Sequence, residues 1–300
     1  SDAQSLKEYL NERLSYYEKI YGKNPAEQSL GNRFNGIIER AYQQAGTQIA
    51  VIVDEYDVPL QHTYETEHHD ECRTIYRDFF TGLKDYGYCI KCVFITGITK
   101  FTQISLFSTL NTLVNISFEE SLAAVCGITN QELLFYFQKE IAMLSEKCNL
   151  SEADTINEMK SLYDGYHFAS NMLNVYNPYS VLSAFSRGKL NSYWIASGSN
   201  EMLFKILNKF AKDIPKLDNC LIDADYLEES DVNMIDPKLF LYQAGYLTIK
   251  AVDGDMYTLG YPNREAKDMI EMHSLPAQSK YHALFSRSPE KVVGLKHGIL

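Results

Sequence analysis

The 300-residue chain is 45% hydrophobic and 22% charged, with a formal net charge of −11. This composition is ordinary for a globular protein with a hydrophobic core. The net negative charge argues against binding nucleic acid through the electrostatic field of the whole protein, although a local basic patch stays possible. No apolar run reaches the roughly 18 residues that a membrane span needs, and six scattered cysteines predict reduced thiols in a cytoplasmic protein.

Two amphipathic helices open the chain. Residues 5–8, SLKE, form a capping-box pattern, so we expect a helix that starts at Ser5 and stops at Gly22. A second helix carries Leu30, Phe34 and Ile37 at helical spacing and ends near residue 46. The first strand candidate follows it directly.

Residues 49–60, IAVIVDEYDVPL, are the most informative stretch of the chain. A short apolar run rich in β-branched residues fits a strand buried on both faces, as in a parallel sheet covered by helices. Asp54 and Glu55 stand at its carboxyl end, where open α/β sheets place their ligands. This pattern is that of the Walker B segment of P-loop NTPases, although a strand that simply ends in an acidic turn gives the same pattern.

A second strand at residues 89–95, CIKCVFI, follows a predicted loop at 61–71 and a predicted helix at 70–84. A strand, a helix and a strand in this order predict a parallel pair, whose carboxyl ends lie at one edge of the sheet. Thr96 therefore stands beside Asp54 and Glu55. It can be a phosphate-sensing hydroxyl or part of an ordinary strand-end turn.

The rest of the chain divides by pattern. Residues 1–118 predict the α/β core, and residues 119–232 lack strand signals and predict an all-α lid. A helix, a hairpin with Asp253-Gly254-Asp255 at its turn and a second helix give residues 233–270 a winged-helix-like outline. Its mixed charge favours a structural role over nucleic-acid binding. Residues 271–300 show no period and predict a tail.

Several motifs in fixed order resemble one known family. They are VIVDEYDVPL, FFTGLK, VFITGITKFT, YDGYHF, VYNPYSVL, YQAGYLTIK and YTLGYPNRE, and the resemblance covers roughly residues 5–268. Together they resemble the predicted AAA-ATPase-like family of P-loop NTPases, whose members are often fused to a PD-(D/E)XK nuclease domain. The resemblance implies a partial P-loop NTPase-like parallel sheet with helices, then an all-α lid and a winged-helix-like module.

The resemblance also implies a site for ATP and Mg²⁺. Asp54 falls on the metal-holding carboxylate, Glu55 on the general base and Thr96 on the sensor hydroxyl. Asp57, which completes the DEYD motif, and Lys100, at a usually basic position, are the further cofactor-binding candidates. The YDGYHF motif has no secure role, so its residues Asp164, Tyr166 and His167 are candidates only for lining the nucleotide cleft.

The 300 residues contain no GxxxxGK[ST] loop to hold the phosphates. We therefore expect a truncated ATPase segment that is inactive by itself and that binds nucleotide only within a longer parent protein. The alternative is a non-catalytic module that binds a protein partner, or a DNA-binding accessory of a nuclease system. Glu265-Ala266-Lys267 resembles the ExK of a nuclease site, but it opens a predicted helix, so we do not expect a nuclease there.

Overall fold

The structure, a computed structural model, describes residues 3–98, 113–194, 203, 207, 209–210, 216–229 and 236–274. Its N-terminal elements are α1 (Ala3–Tyr21), α2 (Leu30–Ala45), β1 (Ile49–Val53), α3 (Val58–Thr63), α4 (His69–Phe80), a 3₁₀ helix (Thr81–Tyr86) and β2 (Ile90–Ile95). A second 3₁₀ helix (Glu120–Leu122), β3 (Ile128–Thr129), α5 (Asn130–Tyr136), α6 (Gln138–Cys148), α7 (Glu152–Tyr163), β4 (Val175–Tyr176) and α8 (Pro178–Arg187) follow. The last elements are β5 (Cys220–Asp223), α9 (Ala224–Glu229), α10 (Pro237–Gln243), β6 (Thr248–Asp253), β7 (Met256–Gly260) and α11 (Arg264–Ser274).

Helix α2 is capped at both ends and packs on α4 through an aromatic contact. Ser29 caps α2 by accepting a hydrogen bond from the N–H of Asn32, and Gly46 ends the helix with φ of 67°. On the inner face of α2, Phe34 stacks on Phe79 of α4 with ring centroids 4.6 Å apart. These contacts fix a helical layer against the first strand.

Strands β1 and β2 pair in parallel, as the sequence predicts. The prediction that β1 is buried on both faces is wrong for the residues that the structure describes. Val51 is buried on the helical side, whereas Ile52 is 72% exposed and Phe94 on β2 is 47% exposed on the other side. The described helices cover one face only, and the two strands alone do not establish a P-loop NTPase sheet.

The region predicted as an all-α lid also contains strands. Its helices form a buried cluster of their own, built from residues such as Leu133, Leu144, Met159 and Val181. Within it β3 and β4 pair antiparallel over two residues, too short a segment to leave a period in the sequence. Strand β5 lies in the same predicted region but belongs to the C-terminal sheet.

The C-terminal sheet has the order β5-β7-β6, and all its pairs are antiparallel. The predicted hairpin forms between β6 and β7 with Gly254 at its turn, and α10 and α11 flank it in the predicted order. Because the sheet takes a strand from residues 220–223, it extends beyond the winged-helix outline predicted for 233–270. Its residues Ile249 and Leu259 share one buried cluster with Leu60 and Phe80 of the N-terminal part.

Four local predictions also need correction. Helix α1 already includes Ala3, so Ser5 lies within it and does not cap it. The predicted loop at 61–71 is shorter, because α3 runs to Thr63 and α4 begins at His69. The predicted helix at 70–84 ends as a 3₁₀ turn, and α11 continues four residues into the predicted tail. Among the described residues, no helix has both the length and the apolar character to cross a membrane.

Candidate functional site

The two strand ends lie side by side. The Thr96 N–H donates to the carbonyl of Val53 at 2.9 Å, and the Tyr56 N–H donates to the carbonyl of Thr96 at 3.1 Å. These bonds join the two chain segments beyond the ends of both strands. They bring the residues that follow β1 and β2 to one edge of the sheet, as the sequence predicts.

Thr96 connects the two acidic residues at this edge. Its hydroxyl Oγ1 donates to Oδ1 of Asp54 and lies 3.4 Å from the main-chain N of Glu55. Glu55 has φ of 53°, the left-handed region, which costs a non-glycine residue about 1 kcal/mol or more. Asp54 and Glu55 are both exposed. One hydroxyl thus contacts the carboxylate of Asp54 and the main chain of Glu55, and both acidic residues remain open to solvent.

Asp57 has a different environment from the two residues before it. Its side chain is fully buried, with Oδ1 accepting from the N–H of Ile98 at 3.2 Å and Oδ2 accepting from Nε2 of Gln61 at 2.7 Å. Lys100, the other cofactor-binding candidate, lies outside the residues that the structure describes. Asp57 and Lys100 as nucleotide ligands therefore stay predictions.

The carboxylates at the strand ends could supply part of a metal site. Mg²⁺ in nucleotide sites is held by one or two protein carboxylates together with phosphate oxygens and water. Asp54 and Glu55 match that chemistry. Nowhere in the described ranges do three or more His, Cys, Asp or Glu side chains converge as a self-sufficient metal site.

The YDGYHF residues contact a different part of the fold. The His167 main-chain N–H donates to Oγ1 of Thr248 at 2.7 Å, and His167 Nδ1 lies 2.8 Å from the carbonyl of Ile249. Burial lowers the pKa of His167 and raises the pKa of Asp164. These residues join the helical region to the C-terminal hairpin, and none of their hydrogen bonds within the described part of the chain reaches the end of β1.

Glu265 is the buried residue whose importance the sequence did not reveal. Its carboxylate accepts from Oγ of Ser180 at 2.7 Å, from the N–H of Tyr193 and from the N–H of Trp194 at 2.9 Å. Burial raises the pKa of this carboxyl in spite of the three donors. Two of the family motifs could have indicated this contact, because VYNPYSVL contains Ser180 and YTLGYPNRE contains Glu265.

An open depression of about 540 Å³ lies elsewhere, lined by Asn115, Phe118, Glu119, Glu120, Ser121 and Ser170. Ser170 donates a hydrogen bond to Glu120 across it. It contains none of the residues that the sequence singled out.

Comparison with known proteins bears on the segment that contains the strand ends. Residues 1–107 match the family model described as "Predicted AAA-ATPase". This match confirms the predicted resemblance to the AAA-ATPase-like family for residues 1–107. The matched segment includes Asp54, Glu55, Asp57, Thr96 and Lys100.

A curated relative is similar to most of the chain. The "Uncharacterized protein in vnfD 5'region" of Azotobacter chroococcum mcd 1 is 30% identical over 271 residues, which cover 89% of this chain and 50% of the relative. The chain thus spans about half the length of this curated relative. No solved structure matches the chain.

Proposed function

We propose that this chain carries the Walker B part of a Mg²⁺-dependent ATP-binding and ATP-hydrolysing site. Asp54 holds Mg²⁺ through its water shell, Glu55 acts as the general base for the attacking water, and Thr96 senses the γ-phosphate. The observation that carries the proposal is the Thr96 hydroxyl, which contacts the carboxylate of Asp54 and lies near the N–H of Glu55 at the ends of two parallel strands.

The chemistry of the three groups supports these roles. Mg²⁺ prefers oxygen ligands, and Asp54 offers an exposed carboxylate that a neighbouring hydroxyl orients. A base must reach a water molecule, and the Glu55 carboxylate is exposed to solvent. A hydroxyl already engaged with the metal-holding carboxylate can exchange partners when a phosphate arrives, so Thr96 can couple nucleotide state to the acidic pair.

The phosphate-binding loop belongs, in this proposal, to a part of the protein outside these 300 residues. Such loops supply main-chain N–H groups and a Lys to the β and γ phosphates. Without them the segment is expected to have no appreciable turnover by itself. Lys100 remains a candidate for an additional phosphate contact.

The test compares ATP turnover in a longer protein that contains both this segment and a Walker A loop. We expect Glu55→Gln to lower kcat by about 10²–10⁴-fold, the usual contribution of a positioned base, with little change in KM. Glu67→Gln is the matched control, because the Glu67 side chain is 89% exposed in the same part of the chain. Unchanged turnover in Glu55→Gln would refute the assigned base, and ATP hydrolysis by the 300-residue chain alone would refute the external loop.

A protein-interaction module is the second candidate. The observation that favours it is the surface of α5, where Phe135 is 72% exposed and Tyr136 is 68% exposed. In this case Phe135→Ser with Tyr136→Ser abolishes capture of a partner by the purified chain, while Glu55→Gln has no effect. DNA binding by the C-terminal module is less favoured, because Arg264 is already paired with Glu158. It predicts an affinity that falls steeply with salt.

A further inference from the structure

The parallel ladder changes its register where β1 ends. Val53 pairs with Ile95, so a regular ladder would next join the N–H of Glu55 to the carbonyl of Thr96. The N–H of Tyr56 makes that bond instead, at 3.1 Å. Glu55, with φ of 53°, is therefore one residue inserted into the ladder, in the manner of a β-bulge.

The next position of the ladder is filled by a side chain. In a regular pair the N–H of Ile98 would donate to the carbonyl of Glu55. That carbonyl accepts from the N–H of Val58 at 3.2 Å, and the N–H of Ile98 donates to Oδ1 of Asp57 at 3.2 Å. The Asp57 carboxylate thus takes the place of a main-chain carbonyl. Its second oxygen accepts from buried Gln61 within α3, at 2.7 Å.

Gly97 leaves room for this carboxylate. A Cβ built on Gly97 would lie 2.6 Å from Oδ1 of Asp57 and 2.7 Å from the ring of Tyr56. Both distances are far inside van der Waals contact. Only glycine between Thr96 and Ile98 lets the turn after β2 approach the carboxylate so closely.

We propose that Asp57 is a positioning residue, which fastens the turn after β2 to the turn after β1 and so holds the Thr96 hydroxyl on the Asp54 carboxylate. The Asp57 carboxylate is fully buried and both oxygens accept hydrogen bonds, so in this proposal Asp57 acts through the turn and not by direct contact with a metal ion or a nucleotide. The catalytic meaning of this role rests on the ATPase function proposed above. The fastening itself is a property of the 300-residue chain.

The test uses the isotope-labelled 300-residue chain and two readouts. Amide exchange at Ile98 reports on the bond to Asp57, and the methyl resonance of Thr96 reports on its hydroxyl contact. Asp57→Ala removes the acceptor, Asp57→Asn keeps an oxygen for Ile98, and Gly97→Ala displaces the carboxylate. The controls are Glu67→Ala, an exposed carboxylate, and Gly87→Ala, whose Cβ would lie at an ordinary 3.5 Å from the nearest atom.

We expect Asp57→Ala and Gly97→Ala to speed amide exchange at Ile98 by about tenfold, which corresponds to the loss of one net hydrogen bond. We also expect both substitutions to shift the methyl resonance of Thr96, because its hydroxyl is no longer held on the Asp54 carboxylate. Asp57→Asn restores both signals, whereas the controls match the parent chain. If Asp57→Ala does not fold, the comparison of Asp57→Asn with Gly97→Ala decides. Parent-like signals in Asp57→Ala or Gly97→Ala would overturn the proposal.

The turnover assay separates this proposal from the function on which it rests. In the longer protein, Asp57→Ala is expected to lower kcat at least tenfold at unchanged KM, with Asp57→Asn retaining most of the rate. Full turnover in Asp57→Ala, together with faster exchange at Ile98, would overturn the positioning role and leave the ATPase proposal intact. If the longer protein without substitutions shows no ATP turnover, the ATPase proposal and the catalytic role of Asp57 are both overturned. The exchange data on the 300-residue chain still decide whether Asp57 fixes the turn.

Discussion

Arg33 on α2 forms the most buried ion pair between the first two helices. Its Nε donates to Oε1 of Glu18 at 2.7 Å and its Nη2 donates to Oε2 at 3.0 Å, a bidentate pair between side chains that are 10% and 5% exposed. Nη1 donates to Oδ1 of Asn11, and Nη2 also donates to Oγ of Ser15 at 3.1 Å. Four contacts from one guanidinium therefore join α1 to the layer that supports β1.

Replacing Arg33 with Met leaves the Glu18 carboxylate buried without its partner. Removing one member of a buried ion pair costs about 3–5 kcal/mol, a large share of the roughly 5–15 kcal/mol that a domain of this kind has. Replacing both residues, Glu18→Met with Arg33→Met, removes the stranded charge and is expected to cost less than about 1 kcal/mol. The single variant is therefore less stable than the double variant.

The measurement is urea unfolding followed by circular dichroism for the parent, both single variants and the double variant. The Arg33 hydrogen bond holds the pKa of Glu18 below its ordinary value of 4.5. A carboxyl with a lowered folded-state pKa contributes stability that is complete above its unfolded pKa and is lost as the pH falls through the folded pKa. We expect the parent to lose stability below about pH 4.5, more steeply than the double variant does. A cost under about 1 kcal/mol for Arg33→Met, or a double variant as unstable as the single, would refute this reasoning.

Four further substitutions are measured by urea unfolding, three at contacts between elements and one, Gly254→Ala, as a control in open space. Gly165→Ala is expected to cost more than about 3 kcal/mol, because φ is 95° and a Cβ would lie 2.1 Å from the carbonyl of Pro262. Gly254→Ala, with φ of 56° and open space around it, should cost only about 1 kcal/mol, and equal costs for the two would contradict the steric argument. Glu265→Ala strands three buried donors and is expected to cost about 3 kcal/mol or more, so a change below about 1 kcal/mol contradicts the described network. Gly31→Ala should lower the free energy of unfolding by about 1–3 kcal/mol, because a Cβ would meet a main-chain oxygen of α4 at 2.7 Å. An unchanged free energy of unfolding would mean that α2 and α4 can separate freely.

Local signals in the sequence predicted much of the helical structure correctly. The sequence TNQE at residues 129–132 has the spacing of a capping box, which Thr129 and Glu132 form, and Ser151 caps α7. Asn177 caps α8 with Pro178 in its first turn, and a proline also opens α10. These features depend on residues within one turn of each other, so the sequence alone carries them.

The sequence did not predict the pairing of strands that lie far apart in the chain. Residues 220–223, CLID, form β5 only because Asp223 pairs with Met256, more than thirty positions away. Four residues in a helical neighbourhood give no reliable period. The exposed outer face of β1 could not be anticipated either, since an apolar strand has the same sequence pattern whether one or both of its faces are covered.

The DEYD motif marks the boundary between what the sequence determined and what the tertiary structure decided. By itself the sequence determined a strand with carboxylates at its end, a second parallel strand with Thr96 at the same edge, and the AAA-ATPase-like resemblance that the family model confirms for residues 1–107. It made both Asp54 and Asp57 candidates for the nucleotide site. Only the fold leaves the first carboxylate exposed beside a hydroxyl and buries the second against Ile98, because that contact joins residues 41 positions apart and exists only after the two strands have paired.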